Sequence, residues 1–268
     1  TLSLQYRRKK WNISNSLSMT NTKSHNSPYG SFSEYTKLNP YYRLTDENGR
    51  YQQVIEIKPM SSANNPKTVT NPLYNVQFPN KDLSNNFSIV DNFSIEYAIM
   101  DNLRVNGQVS LTKSTARSEQ FKSSHHTDFA PEEDLTQRGS YTKSTGESVS
   151  WNANAALNYN LVKGKHGMFA LLRWDVSSSK SDGINLSAKG FPDDNMDDFL
   201  FAFEMDQRVN GEESTQRSVG MTGSLNYMYD QRFSVDFNIR GDLSSQFGAD
   251  TKMAPFWSVG LRWNMERE

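Results

Sequence analysis

The run Val149-Ser150-Trp151-Asn152-Ala153-Asn154-Ala155-Ala156-Leu157-Asn158-Tyr159-Asn160-Leu161 decides the fold. Val149, Trp151, Ala153, Ala155, Leu157, Tyr159 and Leu161 fall on one parity, and Ser150, Asn152, Asn154, Asn158 and Asn160 on the other. A period of two is that of a β-strand, whose successive side chains point to opposite faces. Lys163-Gly164-Lys165-His166 then turns the chain, and Met168, Ala170, Leu172, Trp174 and Val176 alternate with Arg173, Asp175 and Ser177. Two alternating runs around a short glycine-bearing turn predict an antiparallel hairpin with one oily and one polar face.

The same pattern extends in both directions. Upstream lie Trp11 to Thr20, Phe87 to Ile99 and Leu103 to Thr112, with a weaker opening strand around Leu2, Leu4 and Tyr6. Downstream, Val219 to Tyr229 and Phe233 to Arg240 flank a turn at Asp230-Gln231, and Trp257 to Met265 closes the series, for nine strands in all. Tight turns at Arg8 to Lys10, Met100 to Asn102, Lys163 to His166 and Asp230-Gln231 alternate with long connections at about 22–86, 113–147, 179–217 and 242–256. Up-and-down strands with this alternation place every short turn at one end and every long loop at the other. Transmembrane barrels sort their loops in this way, with short periplasmic turns and long extracellular loops.

The composition agrees. Hydrophobic residues make up 35% of the 268 and mean hydropathy is -0.75, while 34 serines and 26 asparagines fill over a fifth of the chain. A shell with lipid outside and water inside needs apolar residues on one face only, so low hydropathy follows from the architecture. Each alternating run exceeds the roughly 9 to 11 residues a tilted strand needs to cross hydrocarbon, or comes close to it. Trp11, Tyr97, Tyr159, Tyr227, Tyr229, Phe233 and Trp263 gather near the short turns, where an aromatic girdle would sit.

Other classes fall away. The longest apolar runs are five residues, Met168 to Leu172 and Phe199 to Phe203, too short for a membrane-spanning helix. The absence of cysteine removes disulfides and thiolate chemistry, and a net charge of -1 lacks the electrostatic footprint of a nucleic-acid binder. Thr1-Leu2-Ser3-Leu4-Gln5-Tyr6 does not read as a signal peptide. Nine strands in lipid would leave two unpaired edges, which a bilayer does not tolerate, so the pattern predicts a segment of a larger barrel.

The last third resembles a known family. Tyr229-Asp230-Gln231-Arg232-Phe233, then Arg240-Gly241-Asp242-Leu243-Ser244-Ser245-Gln246-Phe247-Gly248, then Phe256-Trp257-Ser258-Val259-Gly260-Leu261-Arg262-Trp263 resemble the SusC/RagA family of TonB-dependent outer-membrane transporters. Ser27-Pro28-Tyr29-Gly30, Asn39-Pro40-Tyr41 and Asn71-Pro72-Leu73 are similar to earlier family stretches. The chain departs from the pattern at Leu243, where glycine is usual, and at Trp257, where proline is common. The resemblance implies an all-β, antiparallel up-and-down barrel of about 22 strands with an N-terminal plug. It also implies uptake of oligosaccharides or peptides under a SusD-like surface lipoprotein, driven by TonB from the periplasm, in the outer membrane. The plug and the TonB box match nothing in these residues, so the chain is read as one segment of wall, lining and surface loops over 1–268.

Few residues suggest chemistry. His125-His126 with Asp128, and Glu132-Glu133-Asp134 beyond, lack the spaced ligands of a zinc site. Asp193-Asp194-Asn195-Met196-Asp197-Asp198 lacks the glycine and the terminal glutamate of a calcium loop; it reads better as an acidic start to a short helix over Phe199 to Met205. No triad, carboxylate pair or phosphate loop stands out, so no enzyme, no catalytic residue, no metal and no cofactor are expected. The binding candidates are loop aromatics: Tyr29, Tyr35, Tyr41 and Tyr42, with Phe32 and Tyr51, in the first long loop, and Phe129 and Tyr141, with Phe121, in the second. Such rings stack on sugars or on peptide side chains while keeping a polar edge wet; they also pack loops. Polar-face Glu96, Arg104, Arg173, Asp175, Asp236, Arg240 and Arg262 are placed along a lumen. Two further readings use the same strands: a soluble β-rich carbohydrate-binding domain, whose oily faces would close into a sandwich core, and a passive porin.

Overall fold

The computed structural model describes residues 1–58, 67–206, 208–247 and 253–267. Its strands are β1 (Leu2–Arg8), β2 (Trp11–His25), β3 (Val54–Lys58), β4 (Lys67–Thr70), β5 (Lys81–Met100), β6 (Leu103–Lys122), β7 (Ser140–Lys163), β8 (His166–Lys189), β9 (Glu204–Met205), β10 (Asn210–Tyr229), β11 (Phe233–Ser244) and β12 (Met253–Trp263). All but β3 and β4 join one antiparallel sheet in the order β1-β2-β5-β6-β7-β8-β10-β11-β12, with β9 beside the end of β8. Consecutive wall strands are neighbours throughout, as in an up-and-down barrel. Among the described residues β1 pairs only with β2 and β12 only with β11, so the sheet is an open arc of barrel wall.

The register turns the two-residue period into continuous bands. One row of cross-strand partners reads Trp11, Tyr97, Val105, Leu157, Leu172, Gly223, Ile239 and Trp257. A row three residues up the sheet, on the opposite face, reads Ser14, Ser94, Gln108, Asn154, Asp175, Gly220, Asp242 and Ala254. Directly opposed residues share a face, so the first row is oily and the second almost wholly polar.

Among the described residues the oily face is left largely uncovered. Val109, Trp151, Trp174, Met221, Phe237 and Val259 stay 40–54% exposed. Among the described residues the buried hydrophobic core is Phe121, Tyr141, Ala188 and Phe191, and it lies at the loop end. A sandwich would bury the oily face, so the arc is not the half of a sandwich. The polar face is the concave one: three hollows open on it, lined by alternate polar residues of up to five adjacent strands.

Turn chemistry fixes the narrow end. Lys9 and Gly164 take positive φ in two-residue turns, and Asp230 and Gln231 do so in the three-residue turn to Phe233. Above these turns the aromatic girdle pairs up, with Trp11 and Tyr97 rings 4.3 Å apart, His166 and Tyr229 5.2 Å apart, and Phe233 stacked on Trp263 at 6.4 Å.

Two expectations are corrected. β5 to β8 and β10 run 20 to 24 residues, so pairing continues well beyond the alternating runs, and the connections shrink to 26–80, 123–139 and 190–209. Polar residues on both faces erase the alternation above the oily band while backbone pairing carries on. The expected helix over Phe199 to Met205 is a single 3-10 turn, Phe199–Phe201, followed by β9. Asp198 caps that turn, its Oδ1 accepting from the Leu200 amide at 3.0 Å, but Phe203 instead donates its amide to Lys189 and Gly190 on the sheet. Residues 248–252 of the last long connection, including the Gly248 of the family pattern, lie outside the described residues.

Candidate functional site

Three long connections fold together into a cap over the wide end of β5 to β8. Its apolar centre is the row Phe121, Tyr141 and Ala188, closed by Phe191 and Phe199 of the third connection. Phe121 and Phe191 meet edge to face at 5.4 Å, and Tyr141 packs tilted on Phe199 at 4.5 Å. Unbroken pairing places Phe121 and Tyr141 on the parity of Val109 and Trp151, so this core rests on the outer face of the wall, above the oily band. Tyr141 is 4% exposed, with its hydroxyl donating to Glu119 at 3.0 Å.

Short polar side chains stitch the connections. Asn75, buried, donates through Nδ2 to Thr127 Oγ1 and accepts from the Thr127 amide, both at 2.8 Å. Asn71, fully buried, donates to the Leu44 carbonyl at 2.9 Å and accepts from the Leu73 amide. Asn80 donates to the Asn75 carbonyl and accepts from the Ser123 amide, while Ser123 donates to Asp194. Each buried polar group thereby regains the partners it loses with water. Gly190 is required at the crossing: its φ is +78°, and an added Cβ would collide with the Thr136 carbonyl and with Phe203.

Beside the cap, a cavity of about 800 Å³ opens between the first connection, β4 and the ends of β5 and β6. Glu34, Lys37, Tyr42, Lys58, Lys122 and Asp128 contribute polar lining. The Tyr42 hydroxyl donates to Glu56, and the Lys58 ammonium stands 6.0 Å from the Tyr42 ring centre. That tyrosyl hydrogen bond, helped by Lys58, holds the Glu56 carboxyl below its ordinary range. Burial holds the His126 imidazole below its usual pKa, partly offset by Asp128. Burial alone would raise the Asp128 carboxyl, but the hydrogen bond from Lys122 and the nearby His126 bring it down.

Of the nine loop aromatics singled out, Tyr42 and Phe121 line this cavity. Tyr29 is half exposed, and its carbonyl accepts from the Tyr35 hydroxyl at 2.5 Å. Tyr41 is 92% exposed, and Phe129 packs edge-on to His126. His125 and His126 diverge, the first toward Asp194 at 3.0 Å and stacked on Phe78, the second toward Asp128. Along the concave face, Arg173 pairs with Asp175 at 2.7 Å, Arg240 with Asp242 at 2.7 Å and Arg104 with Glu96 at 3.6 Å. Asp236 accepts from Asn226. The buried asparagines were missed by sequence reasoning. Asn71 carried a signal of its own, since an asparagine before proline opens a capped turn.

A curved wall oily outside and polar within, with tight turns at one end and folded connections at the other, defines a segment of an antiparallel up-and-down transmembrane β-barrel. Among solved structures it is similar to a chain of the RagAB peptide transporter, with a TM-score of 0.74 and 19% identity over 97% of this chain and 29% of that one. The RagAB peptide importer in its open-open and closed-closed states gives TM-scores of 0.72 at 20% and 21% identity. The fold is thus similar to a segment of the barrel in the RagAB structures, and the chain spans less than a third of the RagAB chain. No protein-family model and no curated protein matches the sequence.

Proposed function

We propose that this chain forms wall, lining and surface loops of a TonB-dependent importer of SusC type in the outer membrane, taking up oligosaccharides or peptides. The observation that carries the reading is the uncovered oily band across nine strands, with all long connections gathered at one end. The oily band meets outer-membrane lipid, and the paired charges of the concave face line a water-filled path. The cap and its cavity form the mouth, where a SusD-like surface lipoprotein docks; the RagAB structures, described as a peptide transporter and importer, support a two-component assembly of this kind. Energy comes from TonB through the rest of the protein. The work is binding and passage, with no bond made or broken.

Cysteine labelling tests the orientation, because the chain has no cysteine of its own. In intact cells carrying the full-length protein, a membrane-impermeant maleimide should label Tyr41→Cys and spare Gly164→Cys until the outer membrane is opened. Equal labelling of both, or the reverse order, would sink the reading. Copurification of a surface lipoprotein with the intact transporter tests the lid.

A further inference from the structure

The row of side chains that ends the oily band at the tight turns joins cations to aromatic rings. Lys163, His166, Tyr229, Phe233 and Trp263 stand directly opposite one another across β7, β8, β10, β11 and β12. Directly opposed residues share a face, and two residues up each strand lie Leu161, Met168, Tyr227, Val235 and Leu261 of the band, so the row is on the outer face. The His166 Nδ1 is 2.6 Å from the Tyr227 hydroxyl, and its ring centre is 5.2 Å from that of Tyr229. Lys163 is exposed and pairs with no carboxylate among the described residues. Asp230, the one carboxylate in these two turns, is already shared by Lys165 at 3.1 Å and Arg232 at 3.5 Å. The first tight turn repeats the pattern: Arg8 stands opposite Trp11, which packs on Tyr97, and Lys9 and Lys10 follow. The lysines nearest the other edge of the band are engaged instead, Lys113 with Glu147 at 2.6 Å and Lys180 with Glu213 at 2.7 Å.

We infer that the row from Lys163 to Tyr229 is a binding site for the phosphate of an anionic phospholipid in the periplasmic leaflet, whose acyl chains lie along Leu161, Met168 and Val235. The Lys163 ammonium, the His166 ring and the Tyr229 hydroxyl supply donors that phosphate oxygens accept. Phe233 and Trp263 continue the row as an aromatic belt of the kind that sits at headgroup level. Headgroup phosphate is the anion already present at that height, because the next residues on the same face meet hydrocarbon. An acidic protein would have to enter the headgroup layer to reach the same groups. Lysine and arginine beside an anionic leaflet are drawn to it, whereas a zwitterionic lipid brings an ammonium of its own that competes with Lys163 for the phosphate. The site rests on the membrane placement proposed above, and its ligand is neither cargo nor lid.

The test uses the full-length protein, purified in detergent, exposed to dioleoyl phosphatidylglycerol or dioleoyl phosphatidylcholine and read by native mass spectrometry. Phosphatidylglycerol should stay bound where phosphatidylcholine is lost, and soluble glycerophosphate should not displace it. Lys163→Gln with His166→Gln should lower the retained phosphatidylglycerol by about fivefold or more. Lys113→Gln, at the opposite edge of the band, should leave it unchanged; heat-modifiable gel mobility confirms that each barrel is folded. Equal retention of the two lipids, undiminished retention by the folded double variant, or displacement by glycerophosphate overturns the inference. The importer reading survives each of those results as long as the maleimide labels Tyr41→Cys and spares Gly164→Cys in intact cells. A reversed labelling order overturns that reading, and with it the assignment of the leaflet.

Discussion

The lower and upper halves of the same strands solve different problems. In the lower half, parity separates oil from water, and rows such as Trp11 to Trp257 form a belt with hardly a polar group. In the upper half both faces carry polar residues, and parity no longer separates oil from water. Backbone pairing is continuous through both, so the hydrogen-bonded scaffold is indifferent to what the side chains meet. The lower half owes its place to its solvent. The upper half must hold itself up with a small core of its own, the cap around Phe121.

That contrast can be broken at either end, and the largest effect belongs to the cap. Phe121→Ala empties the centre of the buried cluster, and a core phenylalanine cut to alanine costs about 3–5 kcal/mol. Hydrogen exchange should show 123–139 and 190–203 opening while the belt strands stay protected. Belt opening in parallel would make cap and belt one cooperative unit. In the belt, Leu157→Arg sets a charge against lipid, at about 2–4 kcal/mol near the midplane. Thr145→Arg, on the same face above the belt, should be nearly neutral. Urea unfolding in lipid vesicles separates the two, and equal losses would mean the belt does not meet lipid. Gly190→Ala comes next, combining a positive φ with a collision and costing on the order of 1–3 kcal/mol, read as faster protease nicking of the third connection.

The smallest effect is one of pH. His126 holds its proton less tightly folded than unfolded, so the unfolded cap binds more protons as pH falls through about 6.5. Cap stability should be full above that range, decline below it, and level off once the folded histidine is also charged. Asp128, whose carboxyl is brought below its ordinary range, adds a second loss in the same direction as pH falls through about 4 and below. His126→Gln should remove the first step and keep the second, as followed by exchange in 123–139; an unchanged profile would exclude His126 as its source.

The belt was legible in the sequence because lipid demands a strict period of two, and nothing in Val149 to Leu161 competes with it. All nine wall strands and the sorting of their turns followed from that demand. The upper strands were hidden for the opposite reason: Thr142 to Ser148 and Ser177 to Asp182 are polar at every position, and a strand wet on both faces has no pattern to show. The cap was hidden too, since its bonds join residues far apart in sequence, such as Asn75 with Thr127 and Ser123 with Asp194. Tyr141 illustrates the limit. An aromatic in a polar stretch looks like a ligand contact, and only the register shows it packed outside the wall between Phe121 and Phe199.

The length of β7 has a mechanical consequence. Its belt portion ends at Val149, leaving nine paired residues from Ser140 to Ser148 standing beyond the hydrocarbon. At about 3.3 Å per residue and a tilt of about 40°, they raise the rim by roughly 20 Å. The mouth therefore opens at the top of a rigid chimney, clear of the headgroups. On the proposed importer reading, a lid docked at that rim would move clear of the lipid surface.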